Sequence, residues 1–480
     1  MRIINTIIAP GSALEGVMES GMPCRSSEGE DVRAAALWAG SGRWYAVAAV
    51  VCIAFLAFVG GSFAMYVRAF PAEPLRRAFQ GGVALYDREL AYNNPLKTDF
   101  WQPARTSARG VIRHDAARAQ AGLTLYTSGH DHRAFLIDMT GRVVHEWHIP
   151  YSQVWQPGAG VKKPRPDRFI YIEKAHVFPN GDLLALYTAI GDTPWGYGLV
   201  KVDRNSRPIW RYFENAHHDF TFDPAGNIYV LTHRISQAIV PQHEHLTRPR
   251  IDDFVVRLSP DGQELGKLWL INAFAQSRFG RRLHFGSWQA HASNGDYLHA
   301  NSVHVLTQPV AGMPGSRAGH LLVSLRELST LALFDMENDR LVSVMTGPWI
   351  RQHDAEVLPS GRILLFDNEG GVGGPGRSRV LEFDPPSLRI EWSYGDHPDE
   401  PLDSVTRSSQ NRLANGNTLI VESMAGRVLE VTPEGDVVWE FVNPVRGGPR
   451  QNRVPIIFWV DRLDPTRDFT PAFRDSLGLN

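Results

Sequence analysis

The chain has 480 residues, enough to bury a large core, and its charge is balanced at 49 basic and 51 acidic side chains. No basic block is long enough to form a nucleic-acid surface, so that class of partner is excluded. The 43 glycines and 32 prolines, with 13 Trp, 13 Tyr and 23 Phe, favour short strands joined by turns over long helices. Both cysteines, Cys24 and Cys52, lie near the N-terminus, so the rest of the chain folds without a disulfide.

The N-terminal part contains one long apolar segment, Trp44–Val67, which is 24 residues without a charge. As a helix it spans roughly 35 Å, enough for a hydrocarbon core of about 30 Å, so it predicts a transmembrane helix over 43–67. A cleaved signal peptide does not fit, because the run is too long and starts far into the chain. Arginines flank both ends in equal number, so charge leaves the orientation open.

From Gly122 onward two sequence signals alternate. One is a turn followed by an apolar run, with turn glycines 45, 69, 66 and 55 residues apart. These glycines are Gly181, Gly226, Gly295, Gly361 and Gly416. The other signal is a strand, a polar turn and a strand ending in tryptophan, at Trp147, Trp210, Trp269, Trp392 and Trp439. Because tight hairpin turns need the positive φ that glycine supplies, the repeat predicts stacked four-stranded units.

A single four-stranded sheet cannot cover both of its faces, so such units pack around an axis as a propeller. The sequence therefore predicts an all-β, six-bladed β-propeller with an N-terminal transmembrane helix. The first unit lacks one strand, which the segment 454–461 is expected to supply, closing the ring. Seven blades or a β-sandwich pair are the alternatives. The expected organisation is a flexible N-terminal tail over 1–42, a transmembrane helix over 43–67, a connector over 68–121, the propeller over 122–464 and a C-terminal tail over 465–480.

Two of the 18 histidines occupy matching places in the repeat. His218 and His353 each lie six residues before the proline of a turn, at Pro224 and Pro359. In a propeller the innermost strand of each blade begins at one mouth of the central channel. We therefore expect the two side chains to face each other across the axis. A single histidine is usually an ordinary hydrogen-bonded residue, but the matched positions favour a shared site.

Further polar residues fall in the fourth unit. Strand alternation places His299 and Asn301 on one face, and Arg326 interrupts an apolar strand. Pairing of Arg326 with Glu327 is not expected, since neighbours on a strand point to opposite faces. A buried arginine requires an anion or an ion pair. Histidines, an amide and a guanidinium in one channel suit an oxyanion such as sulfate or phosphate.

These residues resemble the PAPS-independent, bacterial-type arylsulfotransferase family. The resemblance is carried by GLTLYTSGHDHRAFLIDMTGRVVHEW at 122–147, HHDFTFDPAGNIYVLT at 217–232, LHANSV at 298–303, VSLRELSTLALFD at 323–335 and HDAEVLPSGRILLFDN at 353–368. It implies a six-bladed propeller that moves a sulfuryl group from a phenolic sulfate to another phenol through a sulfo-histidine, without a cofactor.

The resemblance also assigns roles to residues. His353 matches the nucleophile, and the residues that hold the sulfuryl oxygens and assist the leaving phenol are His218, His299, Asn301 and Arg326. The implied partners are a small aromatic sulfate donor, a phenolic acceptor and a membrane bound through 43–67. The implied location is the inner membrane, with a single pass and a periplasmic propeller.

Other motifs point elsewhere. The segment 371–376 matches the dinucleotide pattern G-x-G-x-x-G, but a strand pattern replaces the helix that this motif requires. Two pairs of histidines have a spacing that would allow metal binding. They are His243 with His245 and His130 with His132, and the same spacing is equally typical of solvated loops. Candidates for the wall of an aryl pocket are Trp288 and Trp349.

One blade departs from the family pattern, since Ser408 stands at the offset where His218 and His353 lie in their blades. Two further functions therefore compete with sulfuryl transfer. The first is a non-catalytic, membrane-anchored propeller that binds a ligand or scaffolds partners. The second is a quinone-dependent dehydrogenase, which requires a prosthetic group.

Overall fold

In the computed structural model the described residues are 31–67, 69–86, 92–158, 160–284, 295–371, 378–396 and 401–479. The chain divides into two compact units, Met1–Ala84 and Leu85–Asn480. The first is helical in its described part, and the second is built mainly of strands.

Helix α1, Asp31–Val67, dominates the first unit and starts inside the range expected as a flexible tail. Its segment Trp44–Val67 is long and apolar enough to cross a membrane, and none of it is buried. Phe58, for example, is 71% exposed. Apolar surface left in water costs about 25 cal/mol per Å², so this helix favours an apolar surrounding. Helix α2, Ala72–Tyr86, follows it.

The second unit is a six-bladed β-propeller, as predicted, made of antiparallel sheets. In every blade but the first, the described strands run consecutively from the inside outward. In the first blade the C-terminal strand β27, Ile457–Leu463, takes the innermost place beside β3, Leu123–Ser128. The prediction that a C-terminal strand closes the ring is confirmed, although this strand starts and ends slightly later than 454–461.

The other strands and short helices follow in chain order. The first blade adds β4 Arg133–Ile137 and β5 Val143–His148. The second and third blades contain β6 Ile170–Val177, β7 Leu183–Ala189, β8 Gly196–Val202, β9 Pro208–Tyr212, β10 Ala216–Phe222, β11 Ile228–Ser236, β12 Arg250–Leu258 and β13 Glu264–Trp269. The fourth and fifth contain β14 Ala300–Val305, β15 Leu321–Leu325, β16 Thr330–Asp335, β17 Arg340–Met345, β18 His353–Val357, β19 Ile363–Asp367, β20 Arg379–Phe383 and β21 Ile390–Tyr394. The sixth contains β22 Ser409–Arg412, β23 Thr418–Glu422, β24 Arg427–Val431 and β25 Val437–Val442. The short helices are α3 Tyr151–Val154, α4 Leu270–Ala275, α5 Pro465–Asp468 and α6 Pro471–Ser476.

Residues outside 122–464 also join the propeller unit. Strand β2, Gly110–His114, pairs with β25 as a fifth strand of the last blade, although this range was expected to be a connector. Strands β1, Trp101–Pro103, and β26, Arg453–Pro455, pair outside the blades. Phe473 of α6 is fully buried between the first two blades, in the range expected to be a tail. These segments cover parts of the ring that the six repeats alone would leave open.

The hydrophobic core lies between neighbouring blades, with one cluster at each of the six junctions. Alternation along each strand gives one face to the preceding blade and the other to the next. Several of the repeated tryptophans form hydrogen bonds across these junctions. The Nε1 atom of Trp147 donates to the carbonyl of Gly181 at 3.1 Å, and that of Trp439 donates to the carbonyl of Met139 at 3.0 Å.

The innermost strand of each blade has no strand partner on the side of the axis. Side chains of the preceding blade supply acceptors for some of its N–H groups. Oδ2 of Asp219 accepts from Val303 at 2.7 Å, and Oγ of Ser302 accepts from Ala355 at 3.1 Å. Oδ2 of Asp354 continues the series by accepting from the N–H of the residue at 410 at 3.0 Å. These bonds tie the third, fourth, fifth and sixth blades to one another at the centre of the ring.

Several carboxyl groups of the inner strands resist ionisation because the ring encloses them. Burial raises the pKa of Asp354 to about 7, that of Glu356 to about 8 and that of Asp461 to about 6. The Lys174 ammonium opposes each of these shifts, and it is itself paired with Asp219. The centre of the ring therefore has a stability that depends on pH.

Replacing Glu356 by glutamine is expected to stabilise the protein more as the pH rises. The pKa of Glu356 is raised from 4.5 to about 8, so between these values the folded chain holds a proton that the unfolded chain has lost. The contribution of this group to stability therefore falls as the pH rises through that window, and glutamine does not titrate. Allowing for partial exposure, the gain in unfolding free energy should be about 2 kcal/mol larger at pH ~8.5 than at pH ~5.

Denaturant unfolding followed by tryptophan fluorescence measures this difference. The control is Glu434→Gln, at an exposed turn of the last blade, measured at the same two pH values. An equal effect of Glu356→Gln at both pH values would contradict the enclosure of this carboxyl group.

Candidate active site

The inner strands of the first five blades each have a β-bulge close to their start. A bulge adds one residue and turns the neighbouring side chains in a new direction. At these points His218 and His299 have φ angles of 56° and 48°, which residues other than glycine adopt only when their surroundings hold them. The local strain thus places imidazoles at one mouth of the ring.

A cavity of about 410 Å³ opens at this mouth. Of the predicted site residues, His218, His299, Arg326 and His353 line it. Asn301 lines a smaller adjoining cavity of about 40 Å³, whose wall also includes His218 and His353. The fold therefore brings all five predicted side chains to one region.

His218 and His353 lie in the third and fifth blades, and His299 immediately precedes the inner strand of the fourth. His218 and His353 therefore lie two blades apart around the axis, and both line the cavity. The ring centroids of His218 and His299 are 5.0 Å apart. The three imidazoles form an arc along one side of the cavity.

Asn368 fixes the protonation of the His353 ring. Its Nδ2 donates to the carbonyl oxygens of Ser404 at 2.6 Å and Arg407 at 2.9 Å, so its Oδ1 faces His353. Nδ1 of His353 lies 2.7 Å from that oxygen and must donate to it. Burial and the nearby Arg326 guanidinium hold the pKa of His353 well below its ordinary value. The ring is therefore neutral at pH 7, with its lone pair on Nε2.

A carboxylate orients His299. Its Nδ1 donates to Oδ2 of Asp296 at 2.6 Å, and its backbone N–H donates to Oδ1 of the same residue at 3.2 Å. Asp296 is 1% exposed, so water does not compete for this pair. Trp195 stacks on the His299 ring, with centroids 5.4 Å apart. Nε2 of His299 is thus left for proton exchange with a bound molecule.

His218 contacts two further buried groups. One of the Nδ1 atoms of His217 and His218 donates to the other across 2.7 Å. The backbone N–H of His218 donates to Oε2 of Glu173 at 3.1 Å. Burial and the surrounding histidines lower the pKa of His218 well below its ordinary value, so this ring is neutral. It suits hydrogen bonding to an oxygen atom better than it suits proton donation.

Arg326 is 4% exposed and lies in a 3₁₀ turn, Arg326–Leu328, instead of a strand. Within this turn its guanidinium pairs with Glu327, so the expectation that the two would not pair was wrong. Nε of Arg326 and Oδ1 of Asn301 are buried without a hydrogen-bond partner among the described residues. Such atoms cost about 1–3 kcal/mol each when left unpaired, and polar atoms of a ligand would satisfy them.

The sequence did not predict several residues of the cavity wall. They are Tyr92, Asp99, Phe100, Glu173, Trp195, Arg351, Glu369 and Arg407. Arg407 and Ser408 have φ angles of 62° and 77°, at the position where the sixth blade lacks a histidine. Ser408 occupies the offset that His218 and His353 have in their blades. The position of Arg407 next to Ser408 was therefore the one sequence signal that could have identified it. The others lie in loops or on strand positions that carry no distinguishing pattern.

Two features of the sequence have no part in this cavity. Trp349 is 2% exposed and packs between the fourth and fifth blades, so the expectation that it lines an aryl pocket was wrong. Trp288 lies outside the described residues, as does most of 371–376. After 371–376 the chain enters strand β20 instead of the helix that a dinucleotide-binding turn requires.

The solved structures whose backbone resembles this one have low sequence identity and low TM-scores to it. A crystal structure of a protein of unknown function from Bacteroides caccae has 14% sequence identity and a TM-score of 0.44, covering 71% of this chain and 98% of that one. A streptogramin B lyase structure has 11% identity and a TM-score of 0.37, covering 72% and 88%. A catalytically inactive virginiamycin B lyase from Staphylococcus aureus with quinupristin has 9% identity and a TM-score of 0.34, covering 71% and 88%. Likenesses this weak say nothing about function.

No curated protein matches the chain. A sequence model of the family described as Arylsulfotransferase (ASST) matches residues 174–444, which is more than half of the chain and includes the arc of histidines, Asn301 and Arg326. The protein therefore belongs to the arylsulfotransferase (ASST) family.

Proposed function

We propose that the protein is an aryl sulfotransferase that carries a sulfuryl group on Nε2 of His353 from a phenolic sulfate ester to a second phenol. The observation that carries this proposal is the buried, neutral His353 ring, whose tautomer Asn368 fixes beside a cavity that also contains His299 and Arg326. Membership of the family supports the reaction class. No cofactor is needed, because the donor ester supplies the sulfuryl group.

In the first step the Nε2 lone pair of His353 attacks sulfur, an N–S bond forms and the bond from sulfur to the aryl oxygen breaks. His299 begins this step as an imidazolium, and the departing phenolate takes its Nε2 proton, while the Nδ1–H of His299 stays bonded to Asp296. The sulfated His353 ring is cationic, and its Nδ1–H keeps its bond to Asn368. A sulfo-histidine and a free phenol result.

In the second step a phenolic acceptor replaces the first phenol. Nε2 of His299 takes the phenolic proton, the phenolate oxygen attacks sulfur, and the N–S bond breaks. His353 returns to its neutral form and His299 regains its proton. Because the donor product leaves before the acceptor binds, the proposal implies ping-pong kinetics.

The rest of the cavity suits a small aromatic sulfate. The Arg326 guanidinium is a fixed, buried donor for the sulfuryl oxygens, on which negative charge accumulates during transfer. Phe100 and Trp195 supply apolar wall for an aryl ring. A volume of about 410 Å³ falls within the usual range for pockets that enclose small molecules.

We also propose that the propeller lies outside the cytoplasm, anchored in the inner membrane by Trp44–Val67. The apolar segment supports the anchor, and the family resemblance supports the side. A reporter enzyme that is active only outside the cytoplasm, fused after Asn480, should be active, and a cytoplasm-dependent reporter at the same place should not be. The reverse pattern would place the propeller in the cytoplasm.

Removal of the nucleophile tests the reaction. With a chromogenic aryl sulfate as donor and a phenol as acceptor, His353→Ala is expected to lower turnover by at least roughly 1000-fold, as loss of a nucleophile does in other enzymes. The matched control is His114→Ala, at an exposed position of β2, which should keep full activity. Equal turnover of His353→Ala and the unsubstituted protein would end the proposal and leave the non-catalytic propeller.

Asn368→Leu tests the role of the ring tautomer. The leucine removes the acceptor of the Nδ1 proton, so His353 loses both its orientation and its preferred tautomer. We expect kcat to fall roughly 100-fold with a much smaller change in KM, because small misplacements of a reacting group have costs of this order.

The control for Asn368→Leu is Asn417→Leu, at another buried asparagine, whose Nδ2 donates to Glu430 in the last blade. It should lower the melting temperature without a comparable loss of kcat. Similar losses of kcat and of stability in both variants would mean that Asn368 acts only through the fold.

A further inference from the structure

A second group of imidazoles lies outside the cavity of the active site. His243 and His245 lie in the loop between β11 and β12, and His284 ends the 3₁₀ turn Gly280–His284 that follows α4. One ring nitrogen of each lies within 4.8 Å of those of the other two. Two segments that are distant in the sequence supply these rings, so the fold brings them together.

His243 is buried in an unusual way. It is 5% exposed, and neither of its ring nitrogens has a hydrogen-bond partner among the described residues. Leaving a buried polar group unsatisfied costs about 1–3 kcal/mol. The backbone of Gly280 closes over the ring, since a Cβ at that position would lie 3.1 Å from Nε2 of His243. A bound ion would satisfy a nitrogen that the protein leaves without a partner.

Imidazole is a common metal ligand, and it coordinates through a ring nitrogen that carries no proton. His245 also forms a hydrogen bond with the backbone of Leu283. Metal-ligating histidines commonly use one ring nitrogen in this way, which fixes the orientation of the other.

The geometry requires only side-chain rotation. The rings of His245 and His284 are stacked, with centroids 4.0 Å apart. A tetrahedral zinc ion with bonds of about 2.0–2.1 Å needs ligand nitrogens about 3.3 Å apart. The exposed His284 ring has room to move towards the other two, whereas its hydrogen bond orients His245 and burial holds His243 in place.

We propose that His243, His245 and His284 bind a divalent late transition metal, with Zn²⁺ as the reference ion and water as the fourth ligand. The ion clamps the β11–β12 loop to the 3₁₀ turn Gly280–His284. The same loop also contacts the chain just before His299, since Thr247 donates its N–H to the hydroxyl of Tyr297 at 2.8 Å. By fixing this loop, the ion supports the chain that enters the active site. The role of the ion is structural.

Two other groups of possible ligands have different explanations. His217 and His233 with Asp253 lie directly behind His218 and belong to the active site. His132 and His148 lie near Asp131, but their Nε2 atoms already hydrogen-bond to each other at 2.9 Å. The second group supplies a matched control.

Metal binding to the full-length protein in detergent, purified without a polyhistidine tag, tests the proposal. Titration calorimetry and elemental analysis should show one equivalent of Zn²⁺ per chain, and Zn²⁺ should raise the melting temperature by several degrees. Co²⁺ in its place should give the visible absorption bands of a tetrahedral site. Mg²⁺ should not bind, because it prefers oxygen ligands.

His245→Asn and His284→Asn change exposed side chains and therefore preserve the fold. Each should weaken Zn²⁺ binding by more than about 100-fold, since even the loss of an outer partner of a ligand costs 10–100-fold. His148→Asn, at the other histidine pair, should leave the affinity and the thermal shift unchanged. Unaltered Zn²⁺ binding in His245→Asn and His284→Asn, its loss in His148→Asn, or no binding by the unsubstituted chain would each overturn the proposal.

Discussion

The open inner edge of each sheet is the constraint on which the rest of this propeller depends. An antiparallel sheet has unpaired N–H and C=O groups along its last strand, and six such edges converge on one axis. Side chains of one blade bond to the backbone of the next, as Asp219 does to Val303 and Ser302 does to Ala355. Bulges at the strand starts interrupt this pairing and turn polar side chains towards one mouth. The site is thus a consequence of how the ring closes at its centre.

The chemistry of the site depends on enclosure in the same way. Burial keeps the His353 ring neutral, so its lone pair is available, and Asn368 decides which nitrogen carries that lone pair. The same burial leaves Nε of Arg326 without a partner among the described residues, beside the cavity that we propose binds the sulfuryl group. His299, paired with Asp296, is the ring best placed to move a proton. The proposed nucleophile, anion-binding group and proton carrier therefore come from neighbouring blades with distinct surroundings.

Much of this fold could be predicted from the sequence, because a propeller repeats its blades and a pattern that recurs in several blades is easy to recognise. The hairpin glycines, the tryptophans in the last strands of five blades and the late strand that closes the ring are local patterns, and the structure has them. The matched positions of His218 and His353 identified the mouth, but their arrangement around it depends on blade number. Asn368 was not recognised because an asparagine at a strand end is common, and Arg326 was misassigned because the strand pattern hides a 3₁₀ turn. Contacts between blades and the positions of β-bulges do not recur at a fixed spacing in the sequence, so they could not be predicted from it.

The covalent intermediate is the most direct test of the central claim. Protein mixed with an aryl sulfate in the absence of acceptor, quenched under alkaline conditions and digested, should yield a peptide containing His353 with the added mass of one SO₃ group. Addition of a phenol before quenching should remove that mass, because the second step consumes the intermediate. Release of phenol from the donor without any sulfated His353, or a sulfuryl group on a different residue, would contradict the account.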